Sequence, residues 1–408
     1  MRWWLRVALG LVLVSVAVYG SAWATTGRFG ASRAIVWLES DTEDVHRFPS
    51  RPVPAGPAVL ELPAGEPLDL DAVWPRGDPD ELFERTATVA FLVVQDGALR
   101  YERYFGGAHE QELRTSFSAV KSVVSTLVGL AVADGHIGSV RDRVTDYLPE
   151  LLERDDRFAD ITIEDLLTMS SGLRYVERSL PWSDDAQTYY GTDLRSTALR
   201  ARVEEPAGQR FLYNNYNLLL EGLILERATG QTVSEYLSER LWQPMGAEAD
   251  ASWSLDSTWS GFEKMESGLN AVARDYARFG LLFAHDGRAD GRQVLPDGWV
   301  AYATGRDLGP DQRYAAHWWT GDVHGEPLPD GHFAAYGKYG QIVYVAPDRG
   351  VVIVRLGDDD GGVNWLHLLA DVARRLQAGH ATARDGGASV GEADRPWLTR
   401  DESRATFA

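Results

Sequence analysis

Apolar positions along this chain change their spacing from segment to segment, and each spacing predicts a different element. From Val7 to Ala24 the residues are uncharged and mostly apolar, with Arg2 and Arg6 before the run and Arg28 after it. A basic start, an apolar core and Ala22-Trp23-Ala24 at its end have the form of a secretory signal with a small-residue cleavage site. The run is also long enough for a bilayer-spanning helix, which needs roughly 17–25 residues. Arg2 and Arg6 favour a cytoplasmic N-terminus, and Arg28 and Arg33 weaken that bias. Residues 1–27 are therefore assigned to a signal peptide or membrane anchor. Over residues 28–80 the pattern is broken by Pro49, Pro52, Pro54, Pro57, Pro63, Pro67, Pro75 and Pro79. That density predicts a linker lying along the surface.

Periodic structure is expected over residues 81–378. Thr86–Gln95 is β-branched and apolar, and Asp96-Gly97 turns it back into Leu99–Phe105, as in a β-hairpin. Ser118–Asp134 reads as one helix closed by Gly135; Val120, Val123, Val124, Leu127, Val128 and Ala131 cover more than one of its faces, as in a buried helix. Residues 137–330 read as helices and loops, Ile163–Met169 and Leu218–Ala228 being the clearest helices. Phe333–Val345 and Val351–Leu356 read as strands joined at Pro347-Asp348-Arg349-Gly350, and a helix over about Val363–Leu376 follows. The remainder, 379–408, is poor in apolar residues and predicts a flexible tail. Strands at both ends of the domain imply one sheet assembled from distant segments. Helices pack on it, a mostly helical second lobe stands beside it, and ligands are expected in the crevice between.

Composition narrows the chemistry. A formal charge of −20 without a Lys/Arg cluster argues against nucleic acid as a partner. There is no cysteine, which removes disulfides and thiol catalysis. The 9 histidines form no His-x-His or His-Glu-x-x-His pair, so neither a metal nor another cofactor is expected. His317, His324 and His332 read as loop residues. Trp182, Trp318 and Trp319 suit either a core or a cleft wall, and Tyr175–Gly191 has the position of a lid.

Ser118-Ala119-Val120-Lys121 places a hydroxyl and an amine three residues apart, on one face of a helix. Free N–H groups at the helix start suit an anionic tetrahedral intermediate. Burial would lower the lysine pKa and let a neutral amine take the serine proton. A capping serine and a snorkelling lysine would give the same spacing. Lys121, however, interrupts an otherwise apolar helix, where a charge without a task is expensive. Tyr213-Asn214-Asn215, just before an apolar helix, supplies a phenol that a neighbouring ammonium can acidify and an amide able to donate and accept; it also suits a helix cap. Gly337-Lys338-Tyr339-Gly340-Gln341, at the start of a predicted strand, suits close approach of a substrate to the backbone, or a bulge.

Ser-x-x-Lys near the domain start, Tyr-x-Asn about ninety residues on and Lys-x-Gly late in the chain resemble the serine β-lactamase and penicillin-binding-protein superfamily. The flanking runs Leu166-Leu167-Thr168-Met169-Ser170-Ser171-Gly172-Leu173 and Leu241-Trp242-Gln243-Pro244-Met245-Gly246 agree. The chain is similar to the class C branch, with its 6-aminohexanoate-dimer hydrolases and family VIII carboxylesterases, over about residues 85–375. The resemblance implies an α/β (α+β) fold with a β-lactamase-like antiparallel sheet, acylation of Ser118, proton uptake by Lys121, and assistance from Tyr213. It places Asn215 and Lys338 along the substrate, and an oxyanion N–H at Gln341 or Lys338 beside Gly340. The implied substrate is a small amide or ester. Lactam-processing members carry a small Thr or Ser between Lys and Gly; here bulky Tyr339 stands there. This favours a linear amide or ester over a β-lactam, with D-alanyl-D-alanine peptidases and a non-catalytic wall-binding member as alternatives.

Overall fold

The structure is a computed structural model that describes residues 2–178, 180–305, 313–322 and 324–376; the tail expected at 379–408 lies outside them. The N-terminal apolar run is a helix, Arg2–Val36, bent at Gly27. Within it Trp3–Gly27 is long and apolar enough to cross a bilayer and is almost wholly exposed.

The proline-rich segment is not a free linker. β1 (Ser50–Val53) pairs antiparallel with Ala251–Ser254, and short helices form at Leu70–Val73 and Pro79–Arg85. Val53, Trp74 and Phe83 are buried in the domain's cores. Two prolines misled because each occupies a position that needs no amide proton. Pro52 lies on an edge strand. Pro79 opens its helix, whose first N–H groups have no intrahelical acceptor, and Asp78 caps that helix by accepting from Asp80 N.

The expected hairpin forms as β2 (Thr88–Gln95) and β3 (Ala98–Tyr104). Further strands are β4 (Arg114–Thr115), β5 (Ala251–Ser254), β6 (Leu269–Ala271), a small hairpin of β7 (Arg288–Ala289) and β8 (Arg292–Gln293), then β9 (Tyr314–Ala315) and β10 (Trp318–Trp319). The last are β11 (Phe333–Gly337), β12 (Gln341–Ala346) and β13 (Val351–Gly357). The main sheet is antiparallel and seven-stranded, in the order β3-β2-β13-β12-β11-β10-β9; the smaller one runs β1-β5-β6-β4.

β2 shows how the sheet is covered. Its alternate residues Ala90, Leu92 and Val94 join one core, while Phe91 and Val93 join the other, so both faces are packed. One face meets the helix Ala273–Ala284 and, beyond it, the helical lobe; the other meets the C-terminal helix Trp365–Arg375. The helix Val120–Ala133 packs on Asn215–Thr229. The latter is capped at both ends: the Asn214 side chain accepts from Tyr216 N, and Gly230 closes the helix in the left-handed conformation.

One strand of the sequence reading divides in two. Phe333–Val345 is broken at Lys338–Gly340, a tight turn that folds β12 back on β11 with Gly337 opposite Gln341. Apolar and aromatic residues flank the turn closely on both sides, so composition alone does not reveal it. The buried Arg355 guanidinium holds the turn through the carbonyls of Tyr339 and Gly340 at 2.6 and 2.9 Å.

Candidate active site

The chain enters the site through β4 and a single 3₁₀ turn, Phe117–Ala119, before the α-helix begins at Val120. Phe117 has φ 43°, a left-handed backbone that a bulky residue adopts only under strain of about 1–3 kcal/mol. That strained step sets Ser118 at the mouth of the helix, partly exposed, while Lys121 one turn later is buried. Lys121 Nζ lies 2.8 Å from Ser118 Oγ and 3.0 Å from the Glu266 carbonyl oxygen.

Burial pushes the Lys121 amine down to about 7, against the pull of the Glu266, Glu221 and Glu177 carboxylates. A large share of the amine is therefore neutral at physiological pH and can take a proton. Tyr213 completes the group. Its hydroxyl faces Ser118, and its ring centroid lies 4.9 Å from Lys121 Nζ. Burial pushes the phenol up, with Ser118 pulling weakly the other way. The sequence reading expected an ammonium to acidify this tyrosine. The structure gives the opposite: desolvation acts on both groups, leaving a neutral phenol beside a largely neutral amine.

Asn215 Nδ2 donates to Tyr175 Oη at 2.9 Å, and its buried Oδ1 has no partner among the described residues. Trp319 stacks on Tyr213 at 5.8 Å, so this tryptophan walls the site; Trp318 is in the core and Trp182 is exposed.

The residues expected on the late strand separate. Lys338 is exposed, and its amine donates to Ser40 Oγ at 2.9 Å. Tyr339, at φ 62°, donates to the Ser40 carbonyl at 2.7 Å. Gln341 is buried, and its side-chain amide ties together Lys338 O, Gly357 O and Gly357 N. Gly340 lies against Arg355, where a Cβ would come 2.4 Å from Nη1. The residue that meets the serine turn is Gly337. A Cβ there would stand 2.3 Å from Ser116 O and 3.0 Å from Ser118 N, so only glycine lets this strand end pass the serine turn.

Sequence reasoning did not connect a group of buried titratable residues behind the site. Lys264 and Glu266 form a buried pair at 2.9 Å, with the Lys264 amine over the Tyr189 ring at 3.8 Å. His317, read as a loop residue, is buried in the turn between β9 and β10 and pairs with Glu221 at 2.9 Å. His332 is likewise buried, between Tyr344 and Asp348, at 2.7 Å from each. Glu221 carried a usable signal, since it interrupts an apolar helix as Lys121 does. Among the described residues no cluster of His, Asp and Glu has the form of a metal site.

A serine and a lysine one turn apart under an antiparallel sheet, joined by a tyrosine from the helical lobe, define a serine hydrolase of the β-lactamase fold. The chain belongs to the beta-lactamase family, whose model matches residues 80–374. It is similar to the 6-aminohexanoate-dimer hydrolase of Paenarthrobacter ureafaciens, at 31% identity over 353 residues that span 78% of this chain and 86% of the relative. Among solved structures it resembles a candidate 6-aminohexanoate-dimer hydrolase from Bacillus anthracis, with a TM-score of 0.73 and 25% identity, covering 83% of this chain and 96% of that one. A family VIII carboxylesterase shares the fold at a TM-score of 0.59 and 16% identity, covering 77% of this chain and 99% of its own.

Proposed function

We propose that this enzyme hydrolyses a small linear amide or ester through an acyl-enzyme on Ser118. Neutral Lys121 takes the proton as Ser118 Oγ attacks the carbonyl carbon. The tetrahedral oxyanion is met by the N–H of Ser118 and by that of Lys338, the amide following Gly337 where the strand passes the serine turn. Tyr213, held between Ser118 and Lys121, passes the proton to the departing amine or alcohol. A water then attacks the ester, with the same pair accepting its proton.

The observation that carries this reading is the 2.8 Å contact between a partly exposed hydroxyl and a buried amine. Similarity to a 6-aminohexanoate-dimer hydrolase supports a linear amide. So does bulky Tyr339 between Lys338 and Gly340, whose hydroxyl is engaged by the Ser40 carbonyl. The helix Trp3–Gly27 supports a place outside the cytoplasm, anchored in the membrane or released from it.

The test is incubation with a fluorophosphonate, beside a panel of short acyl esters, amide dimers, β-lactams and stem peptides. Covalent mass on Ser118, and loss of both labelling and turnover in Ser118→Ala, are expected. Turnover surviving in Ser118→Ala would mean another nucleophile. An unlabelled, inactive wild-type protein would favour a ligand-binding role.

A further inference from the structure

Behind the serine and lysine the structure buries titratable residues that the acyl-transfer steps do not use. Glu221, on the helix Asn215–Thr229, is fully buried. Its two carboxylate oxygens lie 3.0 and 2.9 Å from His317 Nε2. The other ring nitrogen, Nδ1, lies 3.2 Å from Tyr314 Oη. Ser122, the neighbour of Lys121, donates to the His317 carbonyl at 2.7 Å, and His317 N donates to Leu167 O at 3.2 Å. These bonds hold His317 at φ 61°, a backbone conformation uncommon outside glycine. Tyr314 sets its ring edge-on against Tyr213, with centroids 6.1 Å apart, and against Trp319 at 4.9 Å.

The charges facing Lys121 differ in how they are matched. The Glu266 carboxylate is met by Lys264 at 2.9 Å and by Ser267 at 2.8 Å. Glu177 is exposed, and water screens it. The phenols of Tyr213 and Tyr314 are held neutral by burial. Glu221 is buried, and His317 is the cation-forming group hydrogen-bonded to it. A carboxylate left uncompensated at that depth would protonate or hold a nearby amine as ammonium.

We infer that Glu221 and His317 act as a charge-balancing and positioning pair for the catalytic lysine. The imidazole shares a proton with Glu221 and so prevents that carboxylate from locking Lys121 as an ammonium; through Tyr314 it braces the ring of Tyr213. Burial pushes the Glu221 carboxyl up while His317 and then Lys121 pull it down, as expected of a carboxylate that both neighbours face. Both residues are positioning residues, since neither touches Ser118. The inference rests on reading Lys121 as the base.

The experiment is the rate of fluorophosphonate labelling of Ser118 from pH 5 to 10, which needs no knowledge of the substrate. It compares wild type, His317→Asn, Glu221→Gln and the double variant, each first shown to be folded by its thermal melt. Asparagine is chosen because it tolerates positive φ. The wild-type acid limb should fall near pH 7. In His317→Asn it should rise by about one unit, an about tenfold loss of labelling at pH 6 that vanishes above pH 9. In Glu221→Gln it should stay or fall by a few tenths, and the double variant should return to the wild-type limb. Should His317→Asn not fold, an upward shift in Glu221→Gln alone would refute the inference. Uniformly slower labelling at every pH, or equal shifts in His317→Asn and the double variant, would also overturn it and leave the Lys121 reading standing. Label absent from wild type, or persisting in Ser118→Ala, would overturn that reading as well.

Discussion

Replacing Lys121 with methionine separates what the amine does for catalysis from what it costs the fold. Methionine has nearly the same length and no charge. In the folded protein the amine titrates at about 7 against 10.5 for an ordinary lysine. Holding it neutral at pH 7 therefore costs at most about 4–5 kcal/mol, at 1.36 kcal/mol per unit. Methionine removes that cost but leaves Ser118 Oγ and the Glu266 carbonyl without their contact, at about 1 kcal/mol each. The expected net gain is about 2–3 kcal/mol, several degrees in Tm, together with loss of turnover and of fluorophosphonate labelling. The pH dependence is diagnostic. Because the folded pKa lies below the unfolded one, the unfolded chain binds the extra proton between about pH 7 and 10.5, and wild-type stability rises with pH across that window. The advantage of Lys121→Met should thus shrink steadily from pH 7 to 10. Denaturant unfolding of both proteins at pH 7, 8.5 and 10 provides the assay. A variant less stable than wild type at pH 7, or a difference that does not change with pH, would refute the claim that the amine is buried and neutral.

Further outcomes follow from the same geometry. Tyr213→Phe should lower kcat by about 10²–10⁴-fold with little change in KM, since only the proton relay is lost; steady-state kinetics on any substrate found by the panel checks this. Gly337→Ala drives a methyl to 2.3 Å from Ser116 O, and should cost about 1–3 kcal/mol in urea unfolding and depress kcat more than the stability loss explains. The plot of kcat/KM against pH should rise through an acid limb near 7 as Lys121 loses its proton, and Tyr213, pushed up by burial, should add no limb below pH 9.

The sequence was most informative where one physical rule governed many residues. The hairpin at Asp96-Gly97, the helix after Ser118 and the strand at Val351 each follow from a period or a turn chemistry that local residues enforce. Lys121 stood out because a lysine in an apolar helix is costly, Tyr213 was assigned only through the order and spacing shared with the β-lactamase-like superfamily, and the structure brings both to Ser118. What was illegible depended on distant partners. Nothing local to Pro52 or Trp74 says that a sheet edge and a core await them. The turn at Lys338–Gly340 is held by Arg355 from another strand, so the pattern that crosses it reads as one strand. His317 lies in a turn as read, but its burial was not legible because its partner, Glu221, is remote in sequence.

Ser40, four residues beyond the bent N-terminal helix, accepts from both Lys338 and Tyr339 in the turn that follows Gly337. Thr42 and Asp44 add bonds to Asp358 and Tyr189, at 2.8 and 2.6 Å. The stretch leaving the membrane-length helix is thus a brace for the turn at Lys338–Gly340 rather than a tether. A soluble form trimmed after Ser40 would loosen the loop that Gly337 enters, whereas one beginning between Gly27 and Ser40 would keep the brace and shed the greasy helix.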